Sequence, residues 1–219
     1  MRRKSEVISL LTNPGVIAVV RAQKREQVLP LAEALVQGGV IAVEVTLTTP
    51  NAIEAIEEAS QHLGARALIG VGTVLDARTC RDAIRAGAEF VVSPITKAEI
   101  VEAAHASDRP VMLGAYTPTE AQTAHELGAD FVKLFPADGL GPGYIKAIRA
   151  PLPHLRIVPT GGVDLNTAAE FIKAGCAALG VGSSLVSGKL LQEKNWPELT
   201  RLAGEFVTIV KKARRGAGE

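Results

Sequence analysis

The chain has 219 residues, 47% of them hydrophobic and only 4% aromatic, so one domain can enclose a sizeable aliphatic core. With 24 basic and 23 acidic residues, the formal net charge of +1 excludes the charge imbalance of most nucleic-acid-binding and membrane-surface proteins. The two cysteines form no CxxC pair, and no apolar run is long enough to span a bilayer. We therefore expect a single cytoplasmic domain over residues 1–219, with no nucleic-acid or membrane partner. The basic residues within 211–215 are interpreted as a solvated tail.

The predicted elements alternate between strand and helix along the whole chain. The initial stretch MRRKSEVISLLTNPG has a short apolar run interrupted by polar residues, which favours a capping helix over a signal peptide. Short apolar runs then predict strands at 16–20, 41–46, 67–71, 90–92, 111–113, 131–135, 157–160 and 178–181. Amphipathic stretches predict helices at 24–37, 50–63, 76–87, 96–107, 118–127, 142–150, 164–174 and about 195–212. This order predicts a (β/α)8 TIM barrel, with a doubly wound open sheet as the alternative.

Polar residues mark the ends of the predicted strands, where TIM barrels carry their chemistry. In predicted strand two, Glu44 alternates with aliphatic residues and is expected to point towards the barrel axis, because neighbouring side chains of a strand point to opposite faces. Lys133 lies in the apolar run FVKLF, where an amine loses its hydration. The strand-end candidates are Arg21, Glu44, Thr46, Thr48, Thr73, Ser93, Pro94, Gly114, Lys133, Phe135, Thr160, Gly161, Gly162, Gly182, Ser183 and Ser184.

A lysine and a glutamate inside one barrel have two interpretations. They can form a structural ion pair. They can also carry Schiff-base chemistry, in which a neutral amine attacks a ketone and a carboxylic group moves protons. The residues alone leave both interpretations open.

Glycine-rich loops follow predicted strands seven and eight. The motif PTGGVDLNTAAEF places Gly161 and Gly162 directly before a helix that is predicted to start near Asp164, and GVGSSL repeats the arrangement one strand later. Loops in these two places of a TIM barrel often bind phosphate through backbone N–H groups and a helix N-terminus, although a single GG pair can be only a tight turn. Two such loops in the two expected places predict a phosphate pocket.

Metal chemistry has little support in the sequence. The four histidines, His62, His105, His125 and His154, lie in predicted helices or loops without the spacing of metal ligands. We therefore predict no metal and no cofactor, and a covalent rather than a metal-stabilised intermediate.

Six motifs in chain order, within roughly residues 15–185, carry a family resemblance: EVTLTTPNA, GVGTVLD, FVVSP, FVKLFPAD, IKAI and PTGGV. The chain resembles the 2-dehydro-3-deoxy-phosphogluconate (KDPG) and 4-hydroxy-2-oxoglutarate (KHG) aldolases, class I enzymes with a (β/α)8 barrel. The resemblance implies that Lys133 is the Schiff-base lysine and Glu44 the general acid/base. It also implies a homotrimer, and a role in carbohydrate metabolism in the Entner–Doudoroff pathway.

The resemblance assigns roles to further strand-end residues. Thr73 and the segment at Pro94 are expected to line the pyruvyl pocket, and Phe135 to pack near the imine. Gly161, Gly162 and Ser184 are expected to hold the phosphate. The expected reaction is cleavage of 2-dehydro-3-deoxy-6-phosphogluconate to pyruvate and glyceraldehyde 3-phosphate.

Three positions depart from the phosphogluconate-type pattern. Thr48 stands where that group often has Arg, Leu185 where it has Trp, and Ile95 where it has Gly. The segment GLGPGYIKAIRAPLP and Arg21 look closer to the 2-dehydro-3-deoxy-6-phosphogalactonate (KDPGal) branch. The alternatives are therefore cleavage of this epimer, cleavage of unphosphorylated 4-hydroxy-2-oxoglutarate, or a non-catalytic phosphosugar-binding barrel. With Thr at position 48, the substrate carboxylate is expected to bind Arg21, Thr73 or backbone N–H groups, whereas Arg21 can also be a solvated loop residue.

Overall fold

The strands form one parallel sheet that curves into a barrel. A computed structural model describes residues 2–216, so residue 1 and residues 217–219 of the predicted domain lie outside the described residues. The strands are β1 (Val16–Val20), β2 (Ala42–Thr46), β3 (Leu68–Gly72), β4 (Val91–Val92), β5 (Val111–Ala115), β6 (Phe131–Leu134), β7 (Ile157–Pro159) and β8 (Leu179–Val181). Their order is β7-β6-β5-β4-β3-β2-β1-β8, and a bridge between Thr160 and Gly180 brings the two edges together. The TIM-barrel prediction is confirmed, and the open-sheet alternative is wrong.

Helices cover the outside of this barrel and, in the case of α1, its amino end. They are α1 (Lys4–Thr12), α2 (Val28–Gln37), α3 (Ala52–Leu63), α4 (Ala77–Arg85), α5 (Ala98–His105), α6 (Pro118–Glu126), α7 (Gly141–Arg149), α8 (Ala168–Lys173), α9 (Gly188–Glu193) and α10 (Trp196–Arg215). Short 3-10 turns occupy Arg25–Gln27 and Gly64–Arg66. No described helix combines the length and the apolar character needed to cross a membrane.

Several predicted boundaries were wrong. Helix α9 was not predicted, β4 has two residues rather than three, and β5 continues two residues beyond the predicted end at 113. The interpretation of 211–215 as a solvated tail holds for Lys211, Lys212 and Arg215, which are exposed, but the segment is the last turns of α10 and buries Ala213. Arg214 donates hydrogen bonds to the carbonyl groups of Thr12 and Ala177, so this part of the helix is tied to the amino end of the barrel.

The barrel interior divides into an apolar floor and a polar upper part. The floor consists of Ile17, Ala42, Leu68, Phe90, Val92, Met112, Phe131, Val158 and Ala178, and α1 packs beneath it with Val7 and Leu11. On β2, Val43 and Val45 instead join the cluster between the sheet and the helices, as the alternation of the strand predicts. The floor fills the amino end of the barrel, so chemistry is confined to the carboxyl end.

Candidate active site

Lys133 and Glu44 meet across the barrel. Lys133 lies on β6 and Glu44 on β2, and the Lys133 Nζ atom is 3.4 Å from the Glu44 Oε1 atom. Their exposed fractions are only 6% and 2%. Burying both charges costs several kcal/mol, so an ion pair of this kind is a weak device for stability alone. At 3.4 Å the pair is also longer than the roughly 2.7–2.9 Å of strong charge-assisted hydrogen bonds, which leaves the amine less tightly held.

Glycines on the intervening strands make room for this pair. A side chain at Gly72, the last residue of β3, would overlap the Glu44 carboxylate, and one at Gly114 on β5 would overlap the Pro94 carbonyl group. A side chain at Gly70 would overlap the ring of Phe90 in the floor. The absence of a side chain at Gly72 therefore lets Glu44 lie across β3, towards the lysine.

Phe135 contacts the lysine, and Thr73 and Ser93 follow β3 and β4 at the same end of the barrel. The ring centroid of Phe135 lies 5.4 Å from the Lys133 Nζ atom, within the range of a cation–π contact. Thr73 directly follows β3 and has φ 63°, which is unusual for a β-branched residue and costs free energy that the surrounding structure must supply. Ser93 is fully buried, and its hydroxyl accepts a hydrogen bond from the Ile95 N–H group at 3.2 Å, which folds the Ser-Pro segment into a turn.

A cavity of about 410 Å³ opens beside Phe135, between the loops after β4, β5 and β6. Pro94, Gly114, Tyr116 and Glu120 are among its lining residues. Tyr116 and Glu120 were missed by the sequence interpretation. The signal was present for Tyr116, which directly follows β5, but the predicted end of that strand was two residues too early.

The loops after β7 and β8 have the features of an anion pocket. Gly161 and Gly162 adopt φ 93° and 67°, and a side chain at either position would overlap Asp138. Ser183 and Ser184 are exposed. Among residues 2–216, the backbone N–H groups of Gly162, Ser183 and Ser184 donate no hydrogen bond, and neither do the two serine hydroxyls. Unpaired donors from two neighbouring strand ends can bind a phosphate.

The helix N-termini contribute less to this pocket than the sequence predicts. Helix α8 begins at Ala168, not near Asp164, because the Asp164 carboxylate accepts hydrogen bonds from the N–H groups of Asn166 and Thr167 at 2.8 and 2.9 Å. The Ser187 hydroxyl likewise accepts from the Leu190 N–H group at the start of α9. The two caps therefore use N–H groups at the starts of α8 and α9, which the sequence interpretation expected to bind the phosphate. Thr160 directly follows β7 and is 7% exposed, and Gly182 directly follows β8.

Arg21 and Thr48 follow β1 and β2, and β1 pairs with β8, so Arg21 lies at the strand end next to the loop of Ser183 and Ser184. Both side chains are exposed, and Arg21 has no ion pair or side-chain hydrogen bond with any other described residue. The Thr48 hydroxyl lies 2.8 Å from the hydroxyl of Thr46. The guanidinium group is therefore available for an anionic ligand.

The histidines lie outside this site. His105 bonds to Asp130 at 2.9 Å near the amino end of the barrel, His62 lies 3.2 Å from Glu33, and the rings of His125 and His154 are 4.7 Å apart. Within the described range 2–216, no three His, Cys, Asp or Glu side chains are grouped to hold a metal ion.

Comparison with known proteins agrees with this geometry. The family model of the KDPG and KHG aldolases matches residues 7–202. The chain belongs to this aldolase family. As a KDPG/KHG aldolase homologue it is a lyase, and its barrel presents a buried lysine and a glutamate where the strands end.

The alignments with named relatives cover most of the chain. The 2-dehydro-3-deoxy-phosphogluconate aldolase of Pseudomonas aeruginosa is 33% identical over 218 residues, which are 98% of this chain and 97% of that protein. The 2-dehydro-3-deoxy-6-phosphogalactonate aldolase of Escherichia coli K12 is 37% identical over 175 residues, 80% of this chain and 85% of that one. A crystal structure of KDPG aldolase from Legionella pneumophila, with pyruvate captured as a covalent carbinolamine, matches with a TM-score of 0.84 and 33% identity, covering 90% and 96% of the two chains.

Proposed function

We propose that the protein is a class I aldolase that cleaves 2-dehydro-3-deoxy-6-phosphogluconate into pyruvate and glyceraldehyde 3-phosphate. The observation that carries this proposal is the buried Lys133–Glu44 pair at the open end of the barrel. A lysine at such a position can form an imine with the C2 ketone of a 2-keto acid. No cofactor enters the reaction, because the protonated imine itself accepts the electron pair.

Lys133 passes a proton to Glu44 and attacks as a neutral amine. Its Nζ atom adds to C2 to form a carbinolamine, whose hydroxyl group leaves as water with the proton returned by Glu44, and the protonated imine remains. Glu44, through a bridging water molecule, removes the proton of the C4 hydroxyl group. The C3–C4 bond then breaks, its electron pair becomes the C2–C3 double bond of an enamine, and glyceraldehyde 3-phosphate leaves. Protonation at C3 and addition of water at C2 release pyruvate and restore Lys133.

The two charged ends of the substrate bind at the neighbouring strand ends of β7, β8 and β1, which lie between β6 of Lys133 and β2 of Glu44. The phosphate binds Gly161, Gly162 and the loop that contains Gly182, Ser183 and Ser184, where N–H and hydroxyl donors are unpaired. The carboxylate binds Arg21, whose guanidinium can pair with it through two parallel hydrogen bonds. Thr73, Pro94 and Phe135 enclose the pyruvyl part, while Thr48 and Thr160 line the walls of the mouth.

The KDPGal epimer is the second candidate substrate. It is favoured by Thr48 and Ile95, which stand where phosphogluconate-type members often have Arg and Gly. The two phosphorylated substrates differ only in configuration at C4, and both fit the chemistry above. KHG fits it less well, because it carries no phosphate for the glycine loops.

Pyruvate release tests these functions directly. Lactate dehydrogenase can report pyruvate formed from the two phosphorylated epimers and from KHG. We expect the highest kcat/KM with 2-dehydro-3-deoxy-6-phosphogluconate. A higher value for its epimer, or for KHG, assigns the protein to that substrate instead. Phosphosugar binding without pyruvate release from any of the three would identify a non-catalytic binding barrel.

We also propose a homotrimer that associates through the rim of the mouth. Leu75, Ile95 and Tyr116, on the loops after β3, β4 and β5, are 48%, 39% and 44% exposed. Clustered apolar exposure of this kind is typical of an association surface. Light scattering should give three times the chain mass, and Leu75→Glu should lower it. Leu127→Glu, at an exposed leucine on the far end of α6, is the matched control. A monomeric unmodified protein would contradict the proposal.

The proposed compartment is the cytoplasm, and the proposed role is the aldol cleavage step of the Entner–Doudoroff pathway. The buried free thiols of Cys80 and Cys176 are consistent with a reducing compartment. Burial raises the pKa of Cys80 to about 11 and that of Cys176 to about 12, so both thiols stay protonated. Subcellular fractionation of the source cells tests this assignment, and recovery outside the cytosolic fraction would overturn it.

A further inference from the structure

Two threonines at the end of β2 hold the backbone of Arg21 from both sides. The hydroxyl of Thr46 donates a hydrogen bond to the carbonyl group of Val20 at 3.1 Å. The hydroxyl of Thr49 accepts one from the N–H group of Ala22, also at 3.1 Å. The residues they bind are therefore the two chain neighbours of Arg21.

Both threonines are rigidly placed. Their exposed fractions are 2% each, and the N–H group of Thr49 donates to the carbonyl group of Thr46 at 2.9 Å, so the two belong to one turn. Buried hydrogen bonds of this kind are costly to break, because each would leave a polar group unsatisfied. The turn at the end of β2 therefore fixes where the chain leaves β1.

We propose that Thr46 and Thr49, together called the threonine latch, are positioning residues that aim Arg21 at the carboxylate of the 2-keto acid. This inference rests on the proposed function, since it needs a carboxylate at the mouth. The Arg21 side chain itself has no partner among the described residues that could orient it. The backbone therefore sets the point and the Cα–Cβ direction from which the side chain reaches the mouth, and the threonine latch holds that backbone.

The loop beyond Arg21 is anchored in the same manner. The side-chain carbonyl of Gln27 accepts hydrogen bonds from the N–H groups of Gln23 and Lys24, both at 3.0 Å. Its amide group donates to the Leu191 carbonyl at 3.1 Å, on helix α9. The segment after Arg21 is therefore anchored between the end of β2 and α9, although Gln23 and Lys24 remain exposed.

The hydroxyl protons of the latch also determine what Thr48 can offer a ligand. Since the Thr46 proton is donated to Val20, the 2.8 Å contact between the two hydroxyls requires Thr48 to donate to Thr46. Thr48 then presents only lone pairs to the mouth, which repel a carboxylate. Reversing the two protons would leave the Val20 carbonyl without this donor. The carboxylate is thus left to Arg21, and Thr48 suits a substrate hydroxyl.

The test is a double-mutant cycle on pyruvate binding. The measured quantity is half-saturation, the pyruvate concentration at which borohydride traps half of the maximal amount of Lys133 imine. It is determined for the unmodified protein, Thr49→Val, Arg21→Ala and the double variant. We expect Thr49→Val to raise half-saturation about three- to tenfold, the usual range for one lost hydrogen bond. In the Arg21→Ala background the same change should raise it less than about twofold, because Arg21 no longer needs positioning. Thr49→Ser, which keeps the hydroxyl, should restore the unmodified value.

Thr200→Val is the matched control for stability. The Thr200 hydroxyl donates to the Ala34 carbonyl at 2.9 Å between α10 and α2, so this variant loses a comparable bond away from the mouth. It should lower the melting temperature without changing half-saturation. Equal effects of Thr49→Val in both backgrounds, or no effect of Arg21→Ala, would overturn the latch. Failure of pyruvate to label Lys133 in the unmodified protein would instead overturn the proposed function.

Discussion

The Lys133 amine lies 3.4 Å from the Glu44 carboxylate although β3, β4 and β5 separate their strands in the sheet. The contact therefore exists only because the sheet closes into a barrel. The nucleophile and the proton acceptor are 89 residues apart in sequence, and the barrel brings them together above an apolar floor.

Lys133 should be the residue that pyruvate labels. Borohydride added with pyruvate should leave a stable mass increase on the peptide that contains Lys133 and abolish activity. Lys133→Arg should lose essentially all turnover, since a guanidinium is not deprotonated in proteins and cannot form an imine. Peptide mass spectrometry is the measurement. A label on Lys97 or Lys146 would contradict the assignment.

Glu44→Gln keeps the shape of the side chain but removes the base. We expect turnover to fall by roughly 10²–10⁴, the usual size of a general acid/base contribution. Imine trapping at Lys133 should fall less, because other groups can move the protons of that step. Steady-state kinetics and trapping on the same preparation compare the two. A near-normal turnover would leave Glu44 as a structural partner of the lysine.

Gly72→Ala tests the position of Glu44 without altering its chemistry. The added methyl group would overlap the carboxylate, so Glu44 must move away from Lys133. We expect turnover to fall by about 10²-fold, the scale of a misplaced catalytic group, while Lys133 still traps pyruvate. Gly143→Ala on α7, where an added carbon meets open space, is the control and should keep full turnover. Equal turnover in both variants would show that this position of Glu44 does not matter.

The inward direction of Glu44 was predictable because alternation along a strand is a local property of the sequence. The end of β5 and the start of α8 were not, since the first depends on pairing with β6 and the second on the Asp164 cap. Gly72 approaches Glu44 so closely that an added side chain would overlap it, and this contact joins β3 to β2. The hydrogen bond from Ala22 to Thr49 likewise joins the ends of β1 and β2. No pattern within one segment records contacts of that kind, so they had to come from the folded chain.

Ser184 offers a sharper test of the phosphate pocket than Gly162. Gly162 has φ 67° and lies against Asp138, so any side chain there would strain the backbone whatever binds. Ser184 is exposed, and Ser184→Asp places a negative charge beside the proposed phosphate. We expect KM for the phosphorylated substrate to rise about tenfold or more relative to Ser184→Asn, a neutral side chain of the same shape. KM for KHG should stay unchanged. Equal KM values for the Asp and Asn variants would exclude a phosphate at this loop.

Arg21, after β1, is the proposed partner of the substrate carboxylate. Arg21→Ala should weaken pyruvate binding by about 1.5–3 kcal/mol, the cost of losing a hydrogen bond to a charged group. Arg21→Lys should recover only part of this, because an ammonium lacks the planar fork that pairs with a carboxylate through two bonds. Half-saturation for pyruvate in borohydride trapping measures both variants on the same scale. Arg25→Ala is the control, since Arg25 is engaged with Glu58 at 3.0 Å on the outer helix layer and should not affect pyruvate. Unchanged half-saturation in Arg21→Ala would show that Arg21 does not bind the carboxylate. Thr73 and nearby backbone N–H groups would then be its binding site.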